Sequence, residues 1–332
     1  MPHMLRLGII GCGRVTTMFH LKAIEVSGVV ELVSVSDKVD KNLADVKGAT
    51  GVAHACGDYY ELLAKPEVEA VAINTPPRFH EEMTLESLKA GKHVLCEKPL
   101  AQTVEGCERI KQAKGRLVVL PAHNYVYTPA LYRMEEKVKQ GVIGAVRSVK
   151  LNFENNLGMY GSKTDFRTKD PRGIVEDVMP HILSVAGVIA GRASKVLDVS
   201  GVCKKYDVCD NMHADVETEQ GVKLDCTASW TRMIPTFTVA IEGEKGRITS
   251  DFAINPYSYT VEANGAKRKT SERGIGWYLD LAQFKHPSFP EQYRHLDKLV
   301  HEGGEPKISI DDEIAMLRVM KEMGNRIAHG GK

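Results

Sequence analysis

The first third of the chain alternates short apolar runs with amphipathic stretches. Leu5–Ile10, Glu31–Ser36, Ala70–Asn74, His93–Cys96 and Leu117–Leu120 are apolar through most of their length and read as strands. Helical spacing fills the intervals near 14–27, 39–47, 58–64, 79–90 and 103–113. Strands alternating with helices of this length predict βαβ units around a parallel, doubly wound sheet. The rhythm changes after Pro121. Thr128–Gln140 has a helical pattern that closes at Gly141, and Val146–Phe153 alternates as a half-buried strand does. A polar loop over 155–173 leads into a helix that ends near Ala190. From 195 to 264, strand-like runs are punctuated by Gly221, Gly243-Glu244-Lys245-Gly246 and Asn264-Gly265, which predicts an antiparallel sheet. Pro290–His301 and Asp311–Ala328 read as closing helices, the second with Ser309 or Asp311 as its N-cap. The expected architecture is an α/β domain over 1–122, followed by an α+β domain over 123–332 whose last helix packs back on the first.

Composition narrows the classes without choosing among them. The 332 residues suffice for two domains, and an apolar fraction of 43% is ordinary for a globular protein. Lys and Arg outnumber Asp and Glu by 44 to 43, so no overall field favours nucleic acid or an anionic membrane. No apolar run is long enough to span a bilayer. Seven cysteines are scattered without a CxxC pair, and no signal-peptide pattern precedes the first strand, so free thiols in the cytoplasm are expected. Neither HExxH nor a Cys/His cluster at zinc spacing occurs, and no metal site is expected.

Four short motifs carry candidate chemistry. Gly11-Cys12-Gly13 follows the first strand, and Arg14 and Val15 open the helix after it. The first glycine permits a tight turn, and the second lets the backbone approach a pyrophosphate at the helix N-terminus. Thr16 stands where a third glycine is usual, so looser helix–strand packing is expected. Asp37 ends the second strand, where an acid binds a ribose 2′-hydroxyl; the alternative is a plain strand-end cap. A carboxylate about 4 Å from a 2′-phosphate would be repelled by roughly 4 kcal/mol, which favours NAD over NADP, with Lys38 partly offsetting it. Thr75, Pro76 and His80 follow another strand and are candidates to line the cofactor, or else simply start a helix.

Glu97-Lys98-Pro99 closes a further strand. Lys98 could hydrogen-bond a developing alkoxide, Glu97 could hold that lysine or a ribose, and Pro99 makes a cis bond possible. Asp177 and His181 are spaced i, i+4 and share a helical face. A histidine there can accept an alcohol proton at neutral pH while the carboxylate orients it. The competing reading makes Asp177 a helix cap, because Pro180 suits a first turn and kinks an interior.

With GIIGCGRV at 8–15, AVAINTPPRFH at 70–80, HVLCEKPLA at 93–101, EDVMPH at 176–181, VKLDCTASW at 222–230 and ISIDDEIAMLRVM at 308–320, the chain resembles the Gfo/Idh/MocA oxidoreductases along nearly its whole length. The resemblance implies a dinucleotide-binding first domain. It implies a second, substrate-binding domain with an open-faced sheet through which homodimers or homotetramers form. It also implies oxidation of a hydroxyl on a sugar, inositol or sugar derivative. Lys98 would then polarise the substrate, His181 would be the acid/base and Asp177 its companion. The chain departs from the family pattern in carrying a single Gly173 before Ile174-Val175-Glu176, and Asn124-Tyr125-Val126-Tyr127 where arginine-rich strings are frequent. Asn124 and Tyr127 are therefore candidates to shape the substrate pocket. Lys163, Arg167, Lys169 and Arg172 crowd the loop before the Asp/His helix; Arg167 is the candidate to bind an acidic group of the substrate, the alternative being solvated loop charge. Two other function classes fit the same motifs: an NAD-dependent glycosidase without net redox, and a non-enzymatic sugar- or NAD-binding regulator.

Overall fold

A computed structural model describes residues 4–160, 165–170, 172–274, 276–282 and 286–330. The first stretch runs β1 (Leu5–Ile10), a π-helical segment (Thr16–His20), α1 (Leu21–Ser27), β2 (Val30–Ser36), α2 (Asp40–Thr50), β3 (His54–Cys56), α3 (Tyr59–Leu63), β4 (Ala70–Ile73), α4 (His80–Lys89), β5 (His93–Glu97), α5 (Val104–Ala113) and β6 (Val119–Ala122). The second runs α6 (Pro129–Lys139), β7 (Val146–Asn156), α7 (Asp165–Lys169), α8 (Ile174–Ala190), β8 (Ala193–Val202), β9 (Asn211–Thr218), β10 (Lys223–Ser229), β11 (Thr231–Gly243), β12 (Gly246–Asp251), β13 (Ser258–Ala263) and β14 (Ala266–Ser271). It closes with α9 (Trp277–Ala282), α10 (Ser288–His301) and α11 (Ile310–Gly330). No helix among the described residues is long and apolar enough to cross a membrane.

The chain divides into two compact units: residues 1–127 with 277–314, and residues 128–276 with 315–332. The sequence pattern had put the first boundary at 122 and all of 123–332 in the second domain. Contacts instead group Trp277–Ile314 with the first unit. The physical reason is apolar. Tyr293, Leu296 and Leu299 of α10 are buried in one cluster with Leu5, Leu7 and Ile9 of β1 and Ala23 and Ile24 of α1.

The first unit holds a six-stranded parallel sheet in the order β3-β2-β1-β4-β5-β6. Its central strands are buried on both faces, as a sheet with helices on each side requires. Two differences from the sequence reading fall at its edges. β3 is three residues long and carries little apolar signal. β6 begins two residues later than expected and contains Pro121, which is tolerated because the strand is an edge.

The second unit holds eight strands in the order β14-β13-β12-β11-β7-β10-β9-β8. Every pairing is antiparallel except that of β7 with β10. Val149, Leu151 and Phe153 of β7 share a buried face with Leu224 and Cys226 of β10 and Val239 and Ile241 of β11. α8 lies against this face. The opposite face is polar and partly exposed, with Lys150, Asn152, His213, Asp215, Asp225 and Thr238. The sequence reading missed β14, whose Ala-Lys-Arg-Lys-Thr-Ser run lacks an apolar stripe; it is an edge strand, and its charges disfavour pairing with another chain. It also expected a loop over 155–173. Instead β7 continues to Asn156, a 3₁₀ turn follows over Leu157–Tyr160, and α7 occupies Asp165–Lys169. Residues 161–164, Lys163 among them, lie outside the described residues.

Candidate active site

In the first unit the candidate residues gather at the carboxyl ends of the parallel strands. Gly11 leaves β1 with φ +100°, and a Cβ there would stand 2.8 Å from the Asn74 carbonyl oxygen. Both its conformation and its neighbour exclude a side chain. A Cβ on Gly13 would meet nothing within 4 Å, so bare backbone faces open space where a pyrophosphate would lie. The helical run over 14–27 begins there, with exposed Arg14 and half-buried Val15 in its first turn. These features fit a dinucleotide.

Thr16, in place of a third glycine, ties the turn to its neighbour. It is fully buried, donates to the Gly11 carbonyl at 2.6 Å and accepts from Asn74 Nδ2 at 3.0 Å. The hydroxyl thus joins the turn to the end of β4, where a glycine would only have left room. Asp37 accepts from the backbone N–H of Cys12 at 2.6 Å and of Val39 at 2.8 Å. It therefore caps the strand end and braces the glycine turn. Burial, followed by the nearby Asp37 charge, pushes the Cys12 thiol up to about 12, which leaves it an inert core group.

Thr75, Pro76 and His80 lie just beyond β4. The His80 ring is buried, with Nδ1 2.7 Å from the Pro99 carbonyl and Nε2 2.7 Å from the Thr75 carbonyl. It ties the β4 turn to the β5 turn. A neutral imidazole can donate to only one of these oxygens. The Lys98–Pro99 peptide bond is cis. Glu97 accepts from the Lys98 N–H at 3.3 Å and from His20 Nε2 at 3.0 Å, and His20 Nδ1 lies 2.7 Å from the Tyr293 hydroxyl. Burial raises the Glu97 pKa, but the His20 hydrogen bond and the charges of His20, Lys98 and His80 outweigh it and hold the carboxyl below its ordinary value. Neither His20 nor Tyr293 was singled out from sequence. Asn124 donates to Ser288 Oγ at 3.0 Å, and Tyr127 is 1% exposed, its ring 5.5 Å from that of His295. Packing within the first unit takes up both.

In the second unit α8 carries the Asp/His pair. Gly173 precedes it with φ +49°, and a Cβ there would come within 2.3 Å of the Cys209 carbonyl, which accepts the Ile174 N–H. α8 begins at Ile174, so Asp177 lies inside its first turn and is not its cap. Carboxylates at this end complement the helix dipole. Pro180 sits within the helix, which continues to Ala190; without an N–H it cannot bond the Glu176 carbonyl. His181 is half-buried and stacks on Phe153, with centroids 5.4 Å apart and planes 12° off parallel. Phe153 in turn packs on Phe237 at 4.8 Å. The imidazole is therefore held by an aromatic face of β7, a contact that spacing along the chain does not reveal. Arg167 Nε pairs with Asp177 Oδ1 at 2.9 Å, and Arg172 pairs with Glu176 at 2.8 Å. The basic residues expected to meet a substrate thus meet the acids of α8.

Comparison with known proteins follows the same two-unit division. Residues 5–120 match the family model described as an oxidoreductase family with an NAD-binding Rossmann fold, and residues 132–249 match the Gfo/Idh/MocA C-terminal domain. The chain is 30% identical over 308 residues to 1-carboxy-3-chloro-3,4-dihydroxycyclohexa-1,5-diene dehydrogenase of Comamonas testosteroni, covering 91% of this chain and 68% of that one. It is 26% identical to myo-inositol 2-dehydrogenase of Thermotoga maritima, over 94% and 93% of the two chains. The structure of a levoglucosan dehydrogenase in complex with NADH and levoglucosan superposes with a TM-score of 0.87 over 98% of each chain, at 19% identity, which is a likeness of fold.

Proposed function

Because this chain belongs to the Gfo/Idh/MocA family of NAD-binding oxidoreductases, we propose that it oxidises a hydroxyl-bearing carbon of a sugar, an inositol or a related cyclic polyol. The observation that carries this reading is the division of equipment between the two units. Lys98 directly follows β5, at the same carboxyl end of the parallel sheet as the glycine turn that follows β1. Asp177 and His181 share one face of α8 in the second, with the imidazole stacked on Phe153. NAD, when bound, accepts the hydride. Gly11, Gly13, Arg14 and Val15 would receive its pyrophosphate. Asp37 would hold the adenosine ribose, and Thr75, Pro76, His80 and Glu97 would form or brace the rest of its site. The Asp37 carboxylate favours NAD over NADP. His181 takes the hydroxyl proton, Lys98 donates a hydrogen bond to the developing alkoxide, and Asp177 orients the reacting groups. Arg167, which pairs with Asp177, would exchange that partner for an acidic group of the substrate.

We place the enzyme in the cytoplasm, in keeping with seven free cysteines. We also propose a homodimer or homotetramer assembled through the polar face of the second unit's sheet. The relatives are named dehydrogenases, which favours net oxidation over a redox-neutral glycosidase or a regulator.

The test is NADH formation from NAD across inositols, aldoses, sugar acids and nucleotide-linked sugars. His181→Ala is expected to lower kcat on the active substrate about 10²- to 10⁴-fold, and Lys98→Ala about 10²-fold or more. NAD binding without turnover of any alcohol would sink the dehydrogenase reading. NAD-dependent glycoside cleavage without NADH release would replace it with the glycosidase.

A further inference from the structure

We infer that His20 and Tyr293 are positioning residues that act on the NAD site through Glu97. The inference rests on reading the first unit as that site. The three side chains form one chain of hydrogen bonds, Tyr293 Oη to His20 Nδ1 at 2.7 Å and His20 Nε2 to Glu97 Oε1 at 3.0 Å. His20 and Tyr293 are both fully buried. An ionised carboxylate can only accept, so Nε2 carries the proton toward Glu97. In the neutral ring Nδ1 is then an acceptor, and it takes the Tyr293 hydroxyl proton. Each donor in this arrangement meets an acceptor. Burial, with the Glu97 charge, pushes the Tyr293 hydroxyl well above its ordinary range, so that it remains a donor.

Two features of the fold bring these groups together. The π-helical segment Thr16–His20 widens the first helix by one residue per turn and ends at His20. α10 supplies Tyr293 and also Phe289, whose ring meets His20 edge-on at 5.6 Å and stacks on Phe19 at 5.0 Å. The imidazole is thus locked between the nucleotide turn and a helix that arrives more than 250 residues later. A glutamate at a strand end has three rotatable bonds. Fixing one oxygen on His20 leaves the other directed beside Lys98, as an acceptor for a ribose hydroxyl of NAD.

The test compares two substitutions that differ in which nitrogen they replace. Glutamine at position 20 can put a donor near the Nε2 position; asparagine reaches only the Nδ1 position. His20→Asn is expected to raise the Kd for NADH, read by fluorescence titration, about tenfold, and the KM for NAD with it, while kcat changes less. His20→Gln should stay within about threefold of wild type. Tyr293→Phe should weaken binding about threefold alone and add nothing in the His20→Gln background. Melting temperatures without cofactor are recorded alongside. A purely structural role would make Asn and Gln equally harmful and Tyr293→Phe additive; either result overturns the inference while leaving the NAD site intact. Failure of wild type itself to bind NADH would overturn the cofactor reading and this inference with it.

Discussion

At the residue scale, motif spacing singled out residues at a turn, at strand ends and on a helix face, and missed the side chains that brace them. Gly11, Asp37, Lys98, Asp177 and His181 stand in strings whose neighbours announce a turn, a strand end or a helix face. His20 is silent in sequence because its partners Glu97 and Tyr293 lie 77 and 273 residues away. Phe153 is silent because a ring stacked on His181 looks like any apolar strand residue. Thr16 was legible only as a missing glycine, whereas its hydroxyl donates to the Gly11 carbonyl and braces the turn. The depressed Glu97 pKa carries a prediction with a definite sign. A carboxyl lower in the folded state than its ordinary value of 4.5 contributes stability that is full above that value and is lost as the pH falls from it toward the folded one. Glu97→Gln should therefore melt below wild type at pH 7, and the gap should close as the pH is taken below 4.5. A gap independent of pH in thermal melts would mean that the charge contributes nothing.

At the element scale, strands and helices with their own apolar periodicity were legible to within a few residues, and edges were not. β3 and β14 exist because neighbours offer them a ladder, not because their residues demand one. The end of α8 nearest Asp177 was open in sequence between a helix starting at Asp177 and one carrying Pro180 in its interior. The second holds: Gly173 starts the helix by letting its backbone close on Cys209, seven residues before the proline. The start of α11 was open between two caps, and Ser309 takes the role. Its hydroxyl accepts the Asp312 N–H at 3.2 Å, and Asp312 Oδ2 accepts the Ser309 N–H at 2.7 Å, a reciprocal capping box. Ser309→Ala should cost about 1 kcal/mol, read as a lower urea midpoint at unchanged slope.

At the scale of the whole molecule, the sequence showed where the rhythm of the chain changes but not that α10 rejoins the first unit, since a late helix carries no mark of the strand it covers. The polar sheet face yields a prediction of its own. Thr238 stands on the middle of that face, accepting from Asn152 Nδ2 at 2.9 Å. Thr238→Arg should shift the mass measured by light scattering from oligomer to monomer without lowering the melting temperature; an unchanged mass would count against assembly through this face. The return of α10 also bears on how the chain is made. The stripe of β1 and α1 that Tyr293, Leu296 and Leu299 cover leaves the ribosome on the order of ten seconds or more before they do. Through that interval the nascent nucleotide fold carries a greasy flank with nothing to seal it. A truncation that stops at Tyr127 would leave that flank uncovered permanently.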